Sequence, residues 1–286
     1  MSVVPPGEDT GTVISADGTR IGYRRLGTGP ALILVHGAAQ TSENLVTMAK
    51  VLSDQFTLFV PDRRGRGMSG PCGDEHGIAK EVEDLEALLA ESGAHYVFAL
   101  SAGAVIALEA ALSSSEIERL ALYEPPLSFD GVSQMSWAPR YERELQQGEL
   151  AAAFVTVIRG TSDRTATRYL PRFLLMWGIG RAIKEAETKQ LPPGASSRSE
   201  VIPTIRYDVL TVTQAAGSLD RYATLGCELL LLGGEKSNRK LAVALDGLSE
   251  VLPSARRITL HGVGHTAADN HGKPELVAAE LRSFFS

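Results

Sequence analysis

Ser101 stands in the run Phe98-Ala-Leu-Ser-Ala-Gly103, where an apolar strand-like stretch passes directly into an alanine-rich helical one. A serine in so tight a strand-to-helix turn takes a strained backbone conformation, and it needs small residues two before and two after it. Here these are Ala99 and Gly103. The turn pushes the hydroxyl out at the carboxyl edge of a sheet. The next N–H, of Ala102, opens a helix, where negative charge is favoured. That is the chemistry of a nucleophile beside half of an oxyanion site. Another stretch, Gly65-Arg-Gly-Met-Ser-Gly70, spells the G-x-G-x-x-G of dinucleotide-binding loops. That fingerprint works only where the third glycine opens a helix. Pro71-Cys-Gly-Asp74 follows instead, so the glycines are read as a turn.

The elements that must carry these residues follow from hydrophobic patterning. Strand-like runs alternate with helix-period segments, the order of parallel strands joined by crossover helices. Gly11–Ala16 and Thr19–Gly27 are joined at Asp17-Gly18, a hairpin signal that predicts an antiparallel meander at a sheet edge. Further strands are expected at 31–35, 56–60, the run before Ser101, 119–123, 228–232 and 256–260, with helices near 43–54, 78–91, after Ser101, and 274–285. Aliphatic runs without alternation belong to strands buried on both faces.

The alternation breaks at residues 126–210, where helical segments are punctuated by Pro171, Pro192 and Pro193. This reads as a helical insertion dividing a body of residues 1–125 and 211–286. It holds eight of the 17 aromatic residues, both tryptophans among them, and 11 Lys and Arg against nine Asp and Glu, in a chain whose net charge is −6. Such aromatics either form the core of a helical layer or line a cavity for an apolar group. Trp137 and Trp177 are the candidates for the second role.

With 286 residues, 44% hydrophobic and 22% charged, and a mean hydropathy near zero, the composition is that of a soluble globular protein. No apolar run approaches a membrane span, and the first ten residues lack the basic and apolar regions of a secretion signal, so a cytoplasmic protein is expected. An acidic pI of about 5.6 without a basic run argues against nucleic acid as partner. Cys72 and Cys227 have no metal-site spacing and are read as free thiols.

Several motifs together resemble the α/β-hydrolase fold superfamily. Besides the turn at Ser101, Leu34-Val-His-Gly-Ala-Ala39 resembles its HG oxyanion loop, Asp62-Arg-Arg-Gly-Arg-Gly-Met-Ser69 its D-x-R-G-x-G-x-S loop, and Gly262-Val-Gly-His265 its histidine loop. The resemblance implies an α/β fold with a mostly parallel eight-stranded sheet flanked by helices and a helical cap inserted after the sixth strand. It gives the N–H of Ala38 the second oxyanion position opposite Ala102, makes His36, Asp62 and Arg64 structural, and makes His265 the proton acceptor for Ser101. Imidazoles suit that role because they exchange protons near neutral pH. His261 and His271 lie close by but without H-E-x-x-H or supporting carboxylates, so no metal is expected.

One departure stands out. Gly234-Glu-Lys-Ser237 has a serine where the superfamily usually has its acid, and a hydroxyl cannot balance an imidazolium as a carboxylate does. Some relatives place the acid after the sixth strand, where Tyr123-Glu-Pro-Pro126 offers Glu124. Glu235 is a distant second, its side chain expected to point the other way. The expected activity is a cofactor-free serine hydrolase acting on an ester-like or other acyl bond of a small, partly apolar molecule through Ser101, His265 and Glu124. The departures at Ser237, Ala99 and Leu100 also fit carbon–carbon hydrolases, lyases, cyclases or cofactor-free oxygenases of this fold that use serine and histidine as an acid/base pair, and a binder without catalysis is a further alternative.

Overall fold

Short aliphatic runs make stable strands only when helices cover both sheet faces, and this chain supplies both layers. The computed structural model describes residues 8–129, 134–161, 169–188, 195–217 and 219–286. Its eight strands are β1 (Glu8–Ile14), β2 (Arg20–Gly27), β3 (Ala31–Val35), β4 (Thr57–Pro61), β5 (Tyr96–Leu100), β6 (Arg119–Tyr123), β7 (Glu228–Gly234) and β8 (Arg256–Leu260). The helices among the described residues are α1 (Val46–Leu52), α2 (Ile78–Ser92), α3 (Ala102–Ser113), α4 (Ala138–Gln146), α5 (Leu150–Thr161), α6 (Arg172–Glu187), α7 (Arg198–Gln214), α8 (Arg239–Val251) and α9 (Pro274–Phe285). None is long and apolar enough to cross a membrane.

The strand order is β1-β2-β4-β3-β5-β6-β7-β8; β2 pairs antiparallel with both β1 and β4, and the remaining pairs are parallel. Odd and even residues of each inner strand enter different cores. Ile33, Val97, Leu120 and Leu231 pack with α2, α3 and α8, while Leu32, Phe98, Ala121 and Leu230 pack with α1 and α9. The hairpin turns at Gly18 with φ of 85°. One expected helix is shorter than its pattern suggests: Ser42–Leu45 is a 3₁₀ turn and only 46–52 is α-helical. The Asn44 side chain accepts from the Thr41 N–H and tightens this turn. After β3 the chain steps to β4 on one side and then to β5 on the other. The strand order therefore reverses between β3 and β5, the place where open α/β sheets form a crevice at the carboxyl strand ends.

Between β6 and β7, helices α4 to α7 gather a separate apolar cluster of Tyr141, Ala153, Ile183, Ile202 and Ile205. The expected edge of the insertion at residue 210 falls inside α7. This helix continues past Pro203 to Gln214, its first half packing Ile202 and Ile205 among the inserted helices and its second half burying Val212 in the body core. Helix α7 thus belongs to both layers.

Candidate active site

The turn after β5 shows why its residues are small. Ser101 has φ 55° and ψ −122°, and its N–H donates to the Tyr123 carbonyl of the neighbouring strand at 2.9 Å. A Cβ at position 103 would lie 2.4 Å from the His36 carbonyl, and one at position 37 would lie 3.0 Å from the Ser101 Cβ. The glycines at 37 and 103 therefore let the oxyanion loop and the start of α3 approach the serine from both sides.

From β8 the chain enters the loop that carries His265. Its Nε2 lies 3.1 Å from Ser101 Oγ and its Nδ1 lies 2.7 Å from Glu124 Oε2. The carboxylate can only accept, so Nδ1 donates to Glu124, which leaves the Nε2 lone pair to receive the serine proton. Glu124 leaves the end of β6 with φ 49° and is 1% exposed. Its other oxygen, Oε1, accepts from the Gly234 N–H at 2.6 Å. A Cβ at Gly233 would stand 3.2 Å from that oxygen and 2.7 Å from Leu245 Cδ1, so glycine at the end of β7 makes room for the glutamate to cross from its own strand. The Ser237 hydroxyl, at the position where the superfamily usually has its acid, is buried with no hydrogen-bond partner among the described residues. Glu235 turns away, accepting from Gly262 N and facing the exposed His261.

Among the described residues, the non-glycines with positive φ are Ala39, Ser101 and Glu124. Strain of this kind persists only where surroundings over-determine it, and all three positions meet at this one place. The N–H groups of Ala38 and Ala102 donate to no protein acceptor among the described residues, and both residues border the cavity at Ser101. The Gln40 side chain holds their loop. Its Oε1 accepts from Gly37 N at 2.7 Å, and its Nε2 donates to Asp269 of the histidine loop. Asn270 continues the staple, accepting from Thr47 N and donating to the Glu43 carbonyl.

The arginine-rich loop after β4 supports the site from below. Asp62 is buried and accepts from Ser42 N and Met68 N, closing the turn that its glycines permit; the next helix starts only at Ile78. His36 Nε2 accepts from Arg63 N, so its proton lies on Nδ1 and donates to the Gly37 carbonyl. Burial, with Arg66 and Arg63 nearby, drives its pKa well down and keeps this ring neutral. Arg64 pairs with Asp84 and Asp17. The sequence did not reveal the place of Asp208 on α7. It is buried, bonds Arg63 at 2.7 Å and Arg66 at 2.8 Å, and ties α7 to the body beneath the cavity. The available signal was the run of three arginines in a buried loop, which demands acidic partners from elsewhere.

Two cavities open on Ser101 and His265, both also bordered by Ala38 and Ile205. Trp137 lines the narrower one, where its ring packs edge-on against Tyr141. Trp177 does not reach either cavity. It lies on the outer side of α6 and is 68% exposed, in line with Phe173 one turn before it. The expectation that Trp177 lines the cavity is therefore corrected: α6 carries apolar residues around much of its circumference, and this one faces outward.

Comparison with known proteins agrees with the geometry. Residues 32–280 match the model of a family described as the alpha/beta hydrolase family. A pimeloyl-[acyl-carrier protein] methyl ester esterase of Xanthomonas campestris pv. campestris is 27% identical over 266 residues, covering 91% of this chain and 96% of its own. The crystal structure of an alpha/beta hydrolase from Sphaerobacter thermophilus is similar with a TM-score of 0.77 and 29% identity, covering 96% of this chain and all of that one. A thermophilic esterase from Thermogutta terrifontis shares the fold with a TM-score of 0.70 at 18% identity, over 97% of this chain and 98% of its own. With the family model matching from β3 to α9, the chain belongs to the alpha/beta hydrolase family.

Proposed function

We propose that this enzyme is a serine esterase that cleaves a small, partly apolar ester through Ser101, His265 and Glu124. The observation that carries the reading is the unbroken chain from Ser101 Oγ through the His265 ring to Glu124, at 3.1 Å and 2.7 Å, opening on a cavity. His265 Nε2 takes the hydroxyl proton as Ser101 Oγ bonds to the ester carbon. The oxyanion is held by the N–H groups of Ala38 and Ala102, which have no other acceptor among the described residues. The carbon–oxygen bond to the alcohol then breaks, and the proton on Nε2 passes to the departing oxygen. Water, deprotonated by the same nitrogen, attacks the acyl carbon; the bond to Ser101 Oγ breaks, the proton on Nε2 returns to that oxygen, and the acid is released. Glu124 balances the imidazolium formed in each half, and no cofactor is required. The inserted helices act as a cap over the site, with Trp137 against the apolar part of the substrate. The esterase relatives, whose matched regions cover nearly the full chain, support hydrolysis over acid/base chemistry without an acyl-enzyme.

A serine-directed fluorophosphonate followed by peptide mass spectrometry tests the nucleophile. Modification is expected at Ser101, and Ser101→Ala is expected to lower kcat on a nitrophenyl ester by about 10⁴-fold or more. Retained turnover in Ser101→Ala, or labelling elsewhere only, would overturn the proposal.

A further inference from the structure

The two cavities at Ser101 both border His265 but differ in size and wall chemistry, and their positions relative to the rest of the histidine loop give the ester a direction. The narrower one, about 70 Å³, is walled by Met135, Trp137, Ile205, Val209, Val212 and Leu241. Its polar neighbours are already engaged within the protein. Asp208 bonds Arg63 and Arg66, Asn238 accepts from Lys240 N and donates to the Thr161 carbonyl, and Gln134 donates to the Lys240 carbonyl. What remains is an apolar wall. The wider cavity, about 730 Å³, has Phe154, Ile158 and Ile202 on the helical side, and Thr41, Arg198 and Thr266 among its polar residues. The side chains of Arg198 and Thr266 make no hydrogen bond or ion pair among the described residues, so they are available to a ligand.

The proton that releases the alcohol comes from His265, so the leaving group must lie on the side of the histidine loop. Thr266 and Asp269 of that loop border only the wider cavity, whereas Ala102, beyond the serine, borders only the narrower one. The acyl part is thereby directed into the apolar recess and the alcohol into the wide, mixed one. A cavity of about 150 Å³ takes up a benzene ring, so a recess of about 70 Å³ fits an acyl chain of a few carbons.

We infer that the substrates are esters of short, apolar carboxylic acids with bulky alcohols carrying both apolar and hydrogen-bonding surface. This rests on the serine-esterase reading. It sets this enzyme apart from one whose ester joins a large acid to methanol.

Two isomeric esters separate the orientations: 2-phenylethyl acetate has a short acid and a bulky alcohol, and methyl 3-phenylpropanoate has the reverse. The expected result is a kcat/KM at least tenfold higher for the acetate, with 4-nitrophenyl acetate and butyrate likewise turned over at least tenfold faster than the octanoate. Val209→Phe, which fills the recess from a half-buried position, is expected to lower butyrate turnover more than acetate turnover. Preference for methyl 3-phenylpropanoate, or an optimum at octanoate, would overturn the inference while leaving the esterase reading intact. Absence of ester turnover together with no labelling of Ser101 would remove both.

Discussion

The loops at the carboxyl ends of the strands and the helices lying over them form opposite walls of the same site, and they are built differently. In the body wall, the functional groups are held through main-chain atoms: Ser101 by positive φ and by the Tyr123 carbonyl, Glu124 by Gly234 N–H, and the oxyanion loop by the Gln40 side chain on Gly37 N–H. In the helical wall, positions depend on side-chain packing and on a buried charge cluster through Asp208. A substitution at the body's key points meets a close approach or a positive φ, while the helices can exchange apolar residues at modest cost. Chemistry is thus written into the rigid wall, and selection among substrates into the adaptable one.

Substitution at Glu124 probes the rigid wall most severely. Glu124→Gln keeps the shape but removes the charge that balances His265, and kcat on a nitrophenyl ester should fall by about 10³- to 10⁴-fold. Ser237→Ala, at the position where relatives carry an acid, should leave kcat within about threefold, since the Ser237 hydroxyl bonds nothing among the described residues. Steady-state kinetics of the two variants decide the matter: a near-normal Glu124→Gln beside a crippled Ser237→Ala would move the acid out of the body wall as described.

Asp208 tests whether the helical wall hangs on its charge cluster. Burial pushes its carboxyl up, but Arg66 and Arg63 outweigh burial and hold its pKa below the ordinary carboxylate value. Asp208→Asn leaves Arg66 without a carboxylate and Arg63 with Glu81 alone among the described residues. Breaking a buried pair in this way costs about 3–5 kcal/mol. Chemical denaturation should show that loss, and limited proteolysis should show cleavage within the inserted helices before the body. A variant as stable as the parent would show that apolar packing of α7 suffices.

The same contrast explains what could be read from the residues alone. The body was legible because its backbone demands particular residues: aliphatic runs for strands covered on both sides, glycine at 103 against the His36 carbonyl, and a helix at 274–285 opened by proline. Glu124 could be singled out because it directly follows the sixth strand, where some relatives place an acid; in the structure its carboxylate lies against His265. The helical wall was not legible to the same degree. Asp208 is one acid on an amphipathic helix, and nothing local separates a solvent-facing acid from one buried against two arginines 142 and 145 residues earlier. Trp177 failed for a related reason: with apolar residues around much of α6, periodicity does not say which of them faces inward. The Gln40–Asp269 bridge spans 229 residues and belongs to no motif.

That bridge supplies the smallest expected effect, and one with a defined pH signature. Burial pushes the Asp269 carboxyl up to about 6 from 3.8, opposed by the hydrogen bond from Gln40 and by the nearby His265 and His271. Between about pH 4 and 6 the folded protein therefore keeps a proton that the unfolded chain has released. Because the native state binds more protons in this window, the group's contribution to stability falls as pH rises through it and stays low above it. Asparagine cannot ionise, and its side-chain oxygen can still accept from Gln40. Asp269→Asn should accordingly gain on the parent between pH 4 and 6, by on the order of 2 kcal/mol, with a constant difference above about pH 7. Urea unfolding of both proteins at half-unit pH steps gives the difference curve directly. If the two stabilities run parallel through this window, the carboxylate is as well solvated as one on the surface, and the staple between oxyanion loop and histidine loop is looser than the rest of the rigid wall.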